Sequence, residues 1–346
     1  MKYLILICTE YHLFLALNYI EEIHTPSTNF TILIRGKSNR NRISSDFKWD
    51  YLPYKILHWK HDFDPHTQIT NDIKSDLNSL IELKPDVFCF FQEQDMLSMF
   101  LLNRLKAKEN FLFQDGMKAY NRLKKMPPSL LVNEIKMQMW LYKNYKIKDD
   151  ILNLFNAHRY GFRKKITALY LTFPDFYNNW NTRIIYKCPV FAEKNFLVKL
   201  KSFFNWDNRL VTQQEGVIFF LNQPIICKSG FEFQVLKGIL SKFPKKVMYI
   251  KIHPSSTNEQ LEMYTQLRNV KIIQSEIPAE LFVLTFTNSI ILSISSTSLF
   301  VNNPSNSYYY LRPIFAESSN RLKKYITSSP SKHIIDVKNI EEIQFN

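Results

Sequence analysis

Short apolar runs alternate with amphipathic stretches along most of the chain, a pattern that predicts strands alternating with helices. In the first part, residues 1–8, 30–34, 55–59, 87–91 and 110–113 read as strands. The runs at 1–8 and 87–91 are continuously apolar, as strands covered on both faces of a parallel sheet are. Helical spacing is expected at 13–20, 69–83 and 96–105, with Asp95 placed to cap the last of these. A second series opens at 216–221 and continues with strands at 247–252, 270–273 and 289–294. Helices are expected there at 229–243, 261–268 and 278–284. Ser256-Thr257-Asn258-Glu259 has the spacing of a capping box.

Residues 121–205 break this rhythm. Lys, Arg, Tyr and Trp crowd together at 123–126, 137–145, 158–165 and 180–187, and the stretch reads as a basic, aromatic helical insertion. A solvated helical face over an aromatic core gives the same composition, and so does a surface for anionic lipid, an acidic polymer or single-stranded nucleic acid. The domain division that follows is 1–205 and 206–346, with a tail free to pack back on the first domain.

A chain of 346 residues favours two domains, and 45% hydrophobic residues can fill two cores. The net charge of +14 points to anionic partners without choosing among them. Cys8, Cys89, Cys188 and Cys227 lie far apart with no CxxC pair, which argues against zinc and disulfide frameworks and suits a reducing compartment. The opening apolar run is too short for a signal peptide and reads as a buried strand. No run approaches the roughly 18 apolar residues that span a bilayer.

Chemistry gathers where strands end. His253-Pro254 follows a strand and precedes a helix, where free N–H groups favour an anion such as phosphate; a capped turn with an ordinary surface histidine has the same signature. Asp115-Gly116 closes another strand. The aspartate is placed for general-base work and the glycine allows a sharp turn, although a turn aspartate also fits. Ser295-Ser296-Thr297 closes the strand at 289–294 and offers hydroxyl and backbone donors to a phosphate, or simply caps a helix. His61, Asp62, Asp64 and His66 could hold a metal, but Pro65 interrupts them and spacing supplies no third carboxylate.

Read together, Asp115-Gly116, His253-Pro254 and Ser295-Ser296-Thr297 resemble the motifs of bacterial sialyltransferases, and most nearly the lipooligosaccharide sialyltransferase family, glycosyltransferase family 52. Thr9-Glu10-Tyr11-His12-Leu13-Phe14, the Leu221-Asn222-Gln223-Pro224 turn and the helix at Glu280 are similar to that family's pattern as well. Gln114 stands where the family usually has an acid, and Glu10 where a proline is common. The resemblance implies an α/β protein of the GT-B fold, two Rossmann-like domains facing across a cleft, and inverting transfer of sialic acid from CMP-sialic acid. On that analogy Asp115 is the base, and a protonated His253 meets the departing phosphate with Ser295, Ser296 and Thr297 around it. Glu280 holds the ribose, and Pro254, Asn222 and Gln223 line the nucleotide pocket. Thr9, Tyr11, His12 and Gly116 fall on the acceptor side.

The resemblance implies no cofactor and no metal, since CMP carries a single phosphate. The partners it implies are a CMP-linked donor and a galactose-terminated surface glycan such as lipooligosaccharide or capsule, in the bacterial cytoplasm or on the inner face of its membrane. A homodimer is compatible with it, and nucleic acid is not expected as a partner. Two rivals stand beside it. One keeps the fold and changes the donor to CMP-Kdo, another CMP-keto-acid, or a UDP-, GDP- or CDP-sugar. The other is a non-catalytic basic protein that binds nucleic acid or membrane.

Overall fold

The computed structural model describes residues 1–36, 43–44, 46–120, 127–148, 151–177, 183–224, 230–316, 318 and 331–345. The basic loop at 37–42, the cluster at 123–126, Trp180 and Cys227 lie outside them. The chain divides into two compact units, Met1–Ser45 with Trp49–Val190, and Asp46–Lys48 with Phe191–Asn346. Besides Asp46–Lys48, the second unit takes in the chain from Phe191 onward, where 206 was expected.

The first unit runs β1 (Lys2–Ile7), α1 (Glu10–Ile23), β2 (Asn29–Arg35), β3 (Lys55–Trp59), α2 (Asn71–Glu82), β4 (Val87–Phe90), α3 (Met96–Arg104), β5 (Glu109–Phe113), α4 (Pro128–Tyr145), α5 (Ile151–Asn156), β6 (Ala168–Leu171) and β7 (Ile184–Lys187). Its strands form one parallel sheet in the order β3-β2-β1-β4-β5-β6-β7. Residues of β1 and β4 after the first are buried almost without exception, which is why these strands read as unbroken apolar runs. The order reverses between β1 and β4. In open parallel sheets such a reversal leaves a crevice beyond the carboxyl ends of the strands.

The stretch expected as a helical insertion is part of this sheet, since it supplies β6 and β7. Two of its cations also face inward. Arg163 is buried, donating from Nη2 to Glu134 Oε1 (2.7 Å) and from Nε to the Glu93 carbonyl (2.7 Å). Arg183 donates to the carbonyls of Gly161, Ile166 and Arg163. Gly161 has φ +73°, and the Glu93 carboxylate accepts from its N–H at 2.9 Å and from that of Phe162 at 3.1 Å. These charges are spent on holding a turn, not on a partner.

The second unit runs α6 (Lys194–Phe203), β8 (Ile218–Leu221), α7 (Phe231–Lys242), β9 (Met248–Lys251), α8 (Asn258–Thr265), β10 (Val270–Ile273), α9 (Ala279–Thr285), β11 (Ile290–Ser293), β12 (Ser307–Tyr310), α10 (Arg312–Ala316) and β13 (Ile334–Asp336). Its parallel sheet has the order β10-β9-β8-β11-β12-β13, with the reversal between β8 and β11. The tail belongs here and not to the first unit. Ile334 pairs with Tyr308, Val337 and Ile343 enter the core beside Leu236 and Ile239, and Tyr309 donates to the Gln344 carbonyl at 3.0 Å. Among the described residues no helix is long and apolar enough to cross a membrane.

Candidate functional site

In the first unit the crevice is built from three adjacent strands, β1, β4 and β5. Thr9 caps α1, its hydroxyl accepting from the His12 N–H at 3.2 Å, which sets His12 in the first turn above the end of β1. The buried ring lies flat on Phe91, just past β4, with centroids 4.3 Å apart and planes 9° from parallel. Its Nδ1 accepts the Cys8 N–H at 3.2 Å. A backbone N–H can only donate, so the neutral ring carries its hydrogen on Nε2. That nitrogen is 3.2 Å from Asp115 Oδ1, beyond the end of β5. The Asp115 side chain is 28% exposed, so the carboxylate is oriented by a buried imidazole while still opening to solvent. Gly116 follows at φ +61°, a conformation other residues adopt at a cost.

Gln114 points the other way. It is buried, accepts from the Tyr120 hydroxyl (2.6 Å) and the Thr172 N–H (2.8 Å) through Oε1, and donates from Nε2 to the Tyr11 hydroxyl (2.6 Å). Tyr11 thus braces the loop. The departure from the family's usual acid is a structural hub, and Asp115 is the member of the pair that faces out.

In the second unit, Asn222 and Gln223 leave β8 at the reversal. Asn222 is buried. Its Oδ1 accepts the His253 N–H at 3.2 Å and the Ser256 hydroxyl, and its Nδ2 donates to the Tyr264 hydroxyl at 2.6 Å. Tyr264 donates in turn to Glu232. Burial pushes the Glu232 carboxyl above its ordinary range, against the opposing hydrogen bonds from Tyr264 and Asn222. His253 is half-buried, and its Nδ1 accepts the Ser255 N–H at 3.1 Å, so a neutral ring carries its hydrogen on Nε2. Pro254 is exposed beside it. The capping box falls one residue later than expected, on Thr257 and Gln260, because Ser256 is engaged by Asn222.

Gln223 spans from β8 to β11. Its Oε1 accepts from the Ser295 N–H (2.6 Å) and hydroxyl (3.2 Å), contacts that an anionic oxygen would also satisfy. The Ser296 N–H goes to Ser293 Oγ at 3.0 Å, and the Ser296 hydroxyl caps the turn that Thr297 opens. The three residues are half-buried. Glu280 is buried at the start of α9, where it accepts from the Ser298 hydroxyl at 2.7 Å. Burial raises its carboxyl, with the Ser298 hydrogen bond and the Lys251 charge opposing.

The strand ends thus bring His12 to Asp115, Asn222 to His253, and Gln223 to Ser295. Phe91, Glu232 and Tyr264 went unread as site residues; an apolar run hinted at Phe91 and a first-turn position at Glu232, and no signal at Tyr264. His61 pairs with Asp76 at 2.7 Å, and Asp64 closes its own turn on the His66 N–H at 2.8 Å. Among the described residues no group of three metal-ligating side chains occurs.

A family model for alpha-2,8-polysialyltransferase (POLYST) matches residues 4–307, a span that takes in the ends of β1, β4, β5, β8, β9 and β11. The match supports the sialyltransferase part of the resemblance and does not bear on its lipooligosaccharide part. Among solved structures, the GT-B domain of a sialyltransferase from Photobacterium damselae aligns with a TM-score of 0.53 at 11% identity, covering 97% of this chain and 100% of that one. A sialyltransferase structure from Photobacterium damsela gives 0.53 at 11%, covering 97% and 81%. At such identity the likeness concerns the fold, which is GT-B. No curated protein sequence matches the chain.

Proposed function

Because the chain belongs to the alpha-2,8-polysialyltransferase family, we propose that it transfers sialic acid from a CMP-activated donor to a hydroxyl of an acceptor glycan that already ends in sialic acid, with inversion and without a metal. Family and fold together make it a glycosyltransferase of the sialyltransferase kind. The donor, the acceptor and the steps below are the proposal.

The observation that carries it is the solvent-facing Asp115 carboxylate held by a buried histidine. Asp115 takes the proton of the acceptor hydroxyl, whose oxygen attacks the anomeric carbon opposite CMP. The carbon–oxygen bond to phosphate breaks and CMP leaves with the electron pair. His12 already has its hydrogen on Nε2, so it orients the base and does not itself accept the proton. His253 Nε2–H donates to the phosphate oxygen, and the Ser295 donors now held by Gln223 turn to it. A single phosphate leaves little charge to neutralise, which is why donors of this kind suffice.

The test is CMP release from CMP-sialic acid in EDTA, with oligosialic acid, lactose or no acceptor. Release stimulated by oligosialic acid is expected. Stimulation by lactose alone would return the acceptor to a galactose-terminated glycan. Activity that EDTA abolishes and a divalent cation restores would remove the metal clause, and no CMP binding would remove the donor.

A further inference from the structure

The inner face of α4 is fixed. Glu134 is paired with Arg163, Leu141 is buried, and Trp140 stands edge-on to Phe63 with ring centroids 5.1 Å apart. The helix cannot roll, and what its sequence places opposite is presented to solvent. Val132, Ile135, Met139 and Tyr142 recur at helical spacing along that outer face and are 48%, 37%, 66% and 49% exposed. Lys136 and Lys143 are exposed along one flank of the stripe, and Lys146 and Lys148 are exposed at its carboxyl end, with their ammonium groups 5.6 and 6.0 Å from the Tyr142 ring centre. Glu134 is the one acid in residues 128–148, and it is turned inward.

An apolar stripe bordered by lysines and free of outward carboxylates has a specific complement. A polyanionic glycan would match the lysines and leave the apolar side chains in water. A second copy meeting this face across a two-fold axis would bring like charges together. An anionic lipid surface satisfies both halves, the side chains entering the acyl boundary while the lysines meet headgroup phosphates. We propose that the outer face of α4 docks on an anionic membrane. The expected membrane contact thus rests on this helix and not on Arg163 or Arg183.

The experiment is cosedimentation of the full chain with vesicles of phosphatidylcholine alone or of phosphatidylcholine with phosphatidylglycerol. Pelleting with the anionic vesicles, weakened by salt, is expected. The Ile135→Glu/Met139→Glu variant should lower that binding at least tenfold, and Lys136→Gln/Lys143→Gln should lower it several-fold with a shallower salt dependence. Melting temperature and CMP release with a soluble acceptor should stay at the wild-type level. Absence of vesicle binding by the wild type, or binding that the Glu variant retains, overturns the proposal. So does a Glu variant that changes the oligomeric state in size exclusion and leaves vesicle binding intact, since the face would then belong to a second copy.

Discussion

The two sheets are built alike and end differently. Each is parallel, each reverses strand order once, and each crowds polar residues at the carboxyl ends beside the reversal. In the first unit those ends hold a carboxylate that opens to solvent, steadied by an imidazole wedged against an aromatic ring. In the second they hold amides, hydroxyls and an imidazole, while the nearby acids, Glu232 and Glu280, are buried and bonded to hydroxyls. On the proposed mechanism one end takes up a proton and the other receives an anion. The common architecture fixes where chemistry can sit, and the residues just past the strands decide which chemistry it is.

The strongest way to break this contrast is to remove one residue from each side. Asp115→Ala should lower turnover about 10³-fold while CMP binding persists. His253→Ala should lower turnover about 10²-fold and also weaken CMP binding, as a group that meets the departing phosphate would. Calorimetric titration with CMP beside the release assay separates the two patterns, and full activity in either variant ends that residue's part in the mechanism.

A smaller effect sharpens the second side. Asn222→Ala removes the acceptor of the His253 N–H and the Ser256 hydroxyl, and the amide that donates to the Tyr264 hydroxyl, which should cost about 1–3 kcal/mol in chemical denaturation. CMP affinity should fall several-fold as the His253 turn loosens, and unchanged stability would show that the amide is not the brace described.

The smallest effect concerns the acid that the second side keeps covered. Because burial raises the Glu232 carboxyl, the folded state holds that proton more tightly than the unfolded chain does. The stabilisation is complete below the ordinary glutamate range and is lost as pH rises through the raised value. Glu232→Gln should flatten that decline in melting temperature across the same window, and parallel curves for the two proteins would contradict it.

Much of the fold was legible where burial on both faces imposes continuous apolar sequence, as in β1, β4, β8 and β11. It was illegible at β7 and β12, although the edge strands β3 and β10 were read. Ser307–Tyr310 is fully buried yet reads as polar and aromatic, and Ile184–Lys187 at the sheet's edge is mostly exposed and looked like part of a basic patch. Arg163 read as part of a basic cluster because its pairing with Glu134 spans 29 residues. The candidate residues could be named one at a time from strand-end position. Their pairings could not, since His12 and Asp115 are 103 residues apart and Gln223 and Ser295 are 72 apart, and only the sheet order makes them neighbours.

Gln114 has an evolutionary consequence. Two of its contacts, with the Tyr120 hydroxyl and the Thr172 N–H, are made by donors that a glutamate oxygen would receive equally well, and the third needs only that the Tyr11 hydroxyl turn its hydrogen around. Lineages can therefore exchange amide and acid at this position by a single substitution without orphaning a polar group. An acid in a relative's sequence at this position does not by itself mark a proton acceptor.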